Sequence, residues 1–183
     1  ALVAACSGPS VQPTARAVRD LPVAVAGRKT LATASGTIDL PPGMREVDAQ
    51  TWALPLPYDQ AIGLRLQVQS DPDGAAMARL DQQIRAMEKT GQAGVERDAV
   101  VQLGDLDGRI VQAVDLDKAN PQALWLVVAV AEDGVYTASV AGPAAEVRQR
   151  RKLLEGFLLS LRIPAPGRAQ PPVPAVDSLA DDV

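Results

Sequence analysis

The chain contains no histidine and a single cysteine, Cys6. Without histidine it lacks the usual general acid/base near neutral pH and the commonest metal ligand. A Ser-His-Asp or Cys-His arrangement is therefore excluded within this chain. One cysteine allows neither an intrachain disulfide nor a thiolate zinc cluster. Aromatic residues make up 3% of the sequence, so any core must be built from Leu, Val, Ile and Ala. No apolar run is long enough to span a bilayer as a helix, which takes about 18 residues or more. The formal net charge is −4, which gives no electrostatic reason to expect nucleic acid as a partner.

What is present begins with "ALVAACSGPS". Val3, Ala4, Ala5 and Cys6 resemble the end of a bacterial lipoprotein signal peptide, an aliphatic residue followed by two small ones and the cysteine. The resemblance implies a diacylglycerol on the Cys6 thiol and cleavage before it. Each buried acyl methylene contributes about 0.8 kcal/mol, so several chains hold a domain on a bilayer. The alternative is an unmodified cysteine near a frayed terminus. Ser7, in place of Asp, is compatible with outer-membrane sorting in Gram-negative cells. The expected location is the periplasmic or surface side of the cell envelope.

Residues 1–6 thus read as the end of a signal segment, and 7–35, rich in Ser, Pro, Thr, Ala and Gly, as a tether. "LPVAVAG" within the tether could form a short strand. Residues 164–183 hold five prolines between Pro164 and Pro174, a composition that favours extended chain over packing. That tail reads as a disordered segment or as a docking peptide for a proline-recognition module.

The folded part is expected over 36–163. "GTIDLPPGM" and "TWALPLP" are short extended pieces, and "GLRLQVQS" alternates as a half-buried strand. After "DPDG", where Asp71 and Asp73 are candidate N-caps, Met77, Leu80, Ile84 and Met87 make one helical stripe closed by Gly91. "VERDAVVQL", "GRIVQAVDL", "LWLVVAVA" and "GVYTASVAG" read as four strands, with turns at "DLDG" and "EDG". The near-continuous apolarity of "LWLVVAVA" predicts a central strand covered on both faces. Pro143 opens a last helix that runs to about Leu161. This order predicts an α+β fold, an antiparallel sheet of about six strands packed by helices.

The pattern resembles the PsbP-like superfamily, which includes the Mog-type Ran-binding proteins and the bacterial DcrB-like lipoproteins. The likeness lies in "IDLPPGM", "LRLQVQS" with the helix after it, "LGDLDGRIVQAV" and the closing "RRKLLEGFLLSLRI". It departs from the family at Leu161, where Phe is frequent, and at Pro55 and Pro57. The resemblance implies an α/β/α sandwich and a role in protein binding or complex assembly. It carries over no functional residue.

Two aspartate pairs precede glycine, Asp71/Asp73 before Gly74 and Asp105/Asp107 before Gly108. Neither meets the ligand spacing of an EF-hand, since Leu80 and Val114 stand where the bidentate Glu belongs. Asp-Gly turns account for them. No phosphate-cradling glycine motif occurs, and no cofactor or metal site is expected. Arg148, Arg150, Arg151 and Lys152 form the sharpest charge cluster. It could meet lipid headgroups, an acidic protein face or only solvent. Trp125 is expected in the core. Trp52, beside prolines, lies either in an exposed groove or packed under a loop.

The sequence thus points to a non-enzymatic, membrane-tethered envelope lipoprotein that binds a protein partner, with Cys6 as the lipid anchor. Arg148, Arg150, Arg151, Lys152 and Trp52 form the candidate interaction surface. The alternative is a carrier of a small apolar ligand in a pocket lined by Leu64, Met77 and Ile84. A hydrolase using carboxylates or a Ser–Lys pair lacks a recognisable nucleophile turn.

Overall fold

The computed structural model describes residues 18–30, 36–58, 60–116 and 119–163. Cys6 and the proline-rich 164–183 lie outside the described residues. The elements run β1 (Gly27–Thr30), β2 (Thr37–Leu40), β3 (Arg45–Asp48), β4 (Thr51–Pro55), β5 (Ala61–Gln69), α1 (Ala76–Thr90), β6 (Ala93–Leu103), β7 (Leu106–Asp115), β8 (Gln122–Ala131), β9 (Gly134–Pro143), α2 (Ala144–Gln149) and α3 (Arg151–Leu159). Seven strands make one antiparallel sheet in the order β3-β4-β5-β9-β8-β7-β6. β1 and β2 pair separately.

Alternation along the strands sends two sets of apolar side chains to opposite faces. On one face Ile62, Leu64, Leu66, Trp125, Val127, Tyr136 and Val140 pack under Val147, Leu154, Phe157 and Leu158 of α2 and α3. On the other, Val111, Leu126, Val128 and Val135 pack under Leu80 and Ile84 of α1. The result is the α/β/α sandwich. β8 contributes to both cores, which is why its sequence is apolar at nearly every position.

Helix α1 begins where the Asp71 carboxylate accepts the Ala76 N–H at 3.1 Å. The N-cap position itself is Ala75, so Asp71 caps the helix from four residues upstream, through the turn that closes with the Gly74 N–H on its carbonyl. Arg79 then reaches back to Asp71 at 2.5 Å and Asp73 at 2.8 Å, so both aspartates serve the helix start. Gly91 ends α1 at φ 66°, a left-handed conformation that glycine adopts without a Cβ penalty.

The structure departs from the sequence pattern in four places. The main sheet has seven strands because β3, "REVD", pairs with β4 at its edge; half exposed, it carries no apolar signal. Residues 18–30 are not part of a free tether. Val18 and Ala24 are buried, the Ala24 N–H bonds to the Met44 carbonyl at 2.9 Å, and β1 pairs with β2. The turn between β6 and β7 is Gly104-Asp105, flanked by paired Leu103 and Leu106, so Asp107 and Gly108 of "DLDG" already belong to β7. The last helix breaks at Arg150, whose φ of −102° and ψ of 22° separate α2 from α3.

Candidate functional site: the charged cleft beneath α2 and α3

One cross-strand row organises the face under α3. In register it runs Trp52 (β4), Leu64 (β5), Val140 (β9), Trp125 (β8), Gln112 (β7) and Arg97 (β6). Directly opposed residues share a face, so the row passes from aromatic and apolar at one end to polar and charged at the other. Helix α3 matches that gradient. Phe157 meets Trp52 edge-on, with ring centroids 6.4 Å apart and planes at 73°. Arg151 lies over the Trp125 ring at 5.4 Å from its centre. Glu155 accepts a hydrogen bond from the Gln112 amide at 2.7 Å.

The break at Arg150 fans the basic residues apart. Arg148, at the end of α2, forms an ion pair with Glu96 of β6. Arg150 turns back to Glu146 one helical turn earlier. Arg151 opens α3 above Trp125 and also approaches the Gln112 carbonyl oxygen at 3.4 Å and Glu155 at 3.5 Å. Arg97 reaches the same Glu155 oxygen at 3.5 Å. Lys152 is exposed and makes no ion pair among the described residues. Between β6 and the helices lies an open cleft of about 380 Å³ lined by Glu96, Arg148 and Arg151.

Guanidinium groups stay charged at all ordinary pH values, so the cleft holds two permanent cations, Arg148 and Arg151, beside the Glu96 carboxylate. Trp125 is fully buried, and its indole Nε1 has no hydrogen-bond partner among the described residues. The cation above its ring is a favourable contact worth about 0.5–2 kcal/mol.

The structure thus gathers two of the six residues singled out from the sequence, Arg148 and Arg151, at one cleft. Arg150 is spent on Glu146, and Lys152 is exposed and does not line the cleft. Trp52 is only 4% exposed, so it belongs to the core and not to an interaction surface; its indole packs under α3 through Phe157. Glu96, Gln112 and Glu155 are absent from the sequence reading. Gln112 had a signal, because alternation with Ile110 and Val114 puts it on the inner face, where it is fully buried. The pocket expected from Leu64, Met77 and Ile84 does not form. Leu64 is sealed in one core while Met77 and Ile84 pack on the opposite side of the sheet.

Comparison with known proteins rests on architecture. The structure of the cyanobacterial PsbP, CyanoP, from Synechocystis sp. PCC 6803 superposes with a TM-score of 0.57 at 12% identity, covering 79% of this chain and 96% of that one. The chain has a PsbP-like fold. PA94 from Pseudomonas aeruginosa gives 0.52 at 11% identity over 78% of this chain and 99% of its own. LpqN of Mycobacterium tuberculosis, involved in cell envelope biogenesis, overlaps more loosely at 0.48 and 15% identity, over 85% and 98%. No protein-family model and no curated protein matches the sequence. The PsbP-like architecture inferred from the strand and helix pattern is therefore upheld at the level of fold. Among the described residues, no helix is long and apolar enough to cross a membrane.

Proposed function

We propose that the protein is a non-enzymatic lipoprotein of the bacterial cell envelope. Acyl chains on Cys6 hold it on a membrane, and its PsbP-like domain binds a protein partner or aids assembly of an envelope complex. The observation that carries the binding half is the cleft of Glu96, Arg148 and Arg151. Its lining of two permanent cations and one carboxylate is a recognition set, without a nucleophile and base side by side. The tether half is supported by Val3-Ala4-Ala5-Cys6. A tether raises the domain's local concentration near membrane-bound partners without any new contact.

Each half has its own test. In cells, Cys6→Ala moves the protein from the membrane to the soluble fraction; unchanged membrane attachment overturns the tether. A photo-crosslinker at position 152 gives an adduct of discrete mass that is lost on Arg151→Glu. An absent adduct, or one indifferent to that change, overturns partner binding through this face.

A further inference from the structure

We infer that the cleft between β6 and the α2–α3 break takes a carboxylate from an acidic protein segment, and that Glu96 occupies Arg148 until such a carboxylate replaces it. The inference rests on the protein-binding half of the proposed function and is independent of the lipid anchor.

Charge supplies the first argument. Arg97, Arg148, Arg150 and Arg151 share three carboxylates, Glu96, Glu146 and Glu155, and Lys152, next to Arg151 in the chain, is exposed. This face therefore carries excess positive charge on a chain whose net charge is −4. The sign fits an acidic partner.

Geometry supplies the second. Arg151 sits over Trp125 at 5.4 Å from the ring centre, yet its polar contacts, at 3.4 Å to Gln112 and 3.5 Å to Glu155, are long for hydrogen bonds. Its side chain remains 51% exposed. Its orientation is set while most of its donors stay unspent, and such a planar fork matches a carboxylate in two-bond geometry. Arg148, equally exposed and across the same cleft, supplies the second cation once Glu96 lets go.

The same features disfavour a lipid surface. Membrane-binding basic patches use clusters of uncommitted Lys and Arg. Here four arginines share three carboxylates, a small net excess that suits one carboxylate displacing Glu96 better than an extended anionic surface.

The test uses the full chain carrying Cys6→Ala, so that no acyl group contributes, with a fluorescent polyglutamate peptide followed by anisotropy. The expected result is saturable binding. Arg151→Gln weakens it about tenfold, the loss of one charge-assisted bidentate contact. Arg151→Lys also weakens it, because charge is kept but the fork is lost. Glu96→Gln, an exposed change that leaves the fold intact by circular dichroism, tightens it severalfold. Weaker binding with Glu96→Gln, equal binding by all variants, or no binding overturns the inference. So does Arg151-dependent co-sedimentation with phosphatidylglycerol vesicles in the absence of peptide binding. If peptide binding fails while the cellular crosslink at position 152 persists, this ligand chemistry falls and partner binding stands.

Discussion

The Gln112 amide donates to Glu155 at 2.7 Å, the shortest link between the polar end of the sheet and helix α3. Gln112 is fully buried, where the apolar part of its face meets the charged part. Such a group is costly unless its hydrogen bonds are made. Glu155→Ala strands the amide and leaves Arg97 and Arg151 without their shared carboxylate. It is expected to lower stability by about 1–3 kcal/mol in chemical denaturation. Replacing both partners, Gln112→Leu with Glu155→Leu, recovers most of that loss. A double variant as unstable as the sum of Gln112→Leu and Glu155→Leu made singly would show that the pair is not coupled.

On the opposite face Arg109 of β7 ties α1 to the sheet. It donates to Asp98 of β6 through two bonds of 2.6 Å and pairs with Asp81 of α1. The hydrogen bonds from Arg109 hold the Asp98 carboxyl below its ordinary value. A carboxylate depressed in the folded state stabilises that state above the unfolded pKa of about 3.9 and loses the contribution as pH falls through the lower folded value. Asp98→Asn should therefore cost on the order of 1 kcal/mol at neutral pH. The gap to the parent protein should close in strongly acidic buffer. Urea denaturation across that range checks it, and a gap that persists in acid contradicts it.

Two glycines separate backbone need from mere tolerance. Gly156 lies exposed within α3, and a Cβ there would meet nothing within 4 Å. Gly156→Ala should raise stability by about 0.5–1 kcal/mol through helix propensity. Gly134 opens β9 at φ 147°, and a Cβ there would sit 2.6 Å from the Gln69 carbonyl oxygen. Gly134→Ala should lower the melting temperature by several degrees or prevent folding. The reverse order of the two effects would mean that the β8–β9 turn or the α3 surface is built differently.

Much of this architecture was legible because periodicity is a direct imprint of burial. "GLRLQVQS" alternates where β5 has one face against α2 and α3, and β8 is apolar throughout because it lies between two helix layers. The stripe of Met77, Leu80, Ile84 and Met87 marked α1, and Gly91 marked its end. β3 was not legible, since a four-residue, half-exposed strand at the end of the sheet needs little apolar surface. The order in 18–30 rests on single small buried side chains and backbone hydrogen bonds, which leave no period to read. The site was half legible. A run of four basic residues is visible in any sequence, but which of them are spent on Glu146, Glu96 or Glu155 depends on the break at Arg150 and on β6 arriving from some fifty residues away. Trp52 was ambiguous beside its prolines until Phe157 was placed across it.

The proposed function joins a carboxylate-recognising PsbP-like domain to a membrane through one sulfur atom. Intact-mass spectrometry of the protein purified from membranes of its native cell tests that link most directly. The expected species is a mature chain that begins at Cys6 and carries the added mass of acyl groups. A chain found with Cys6 as a free thiol, or with residues 1–5 still attached, contradicts it.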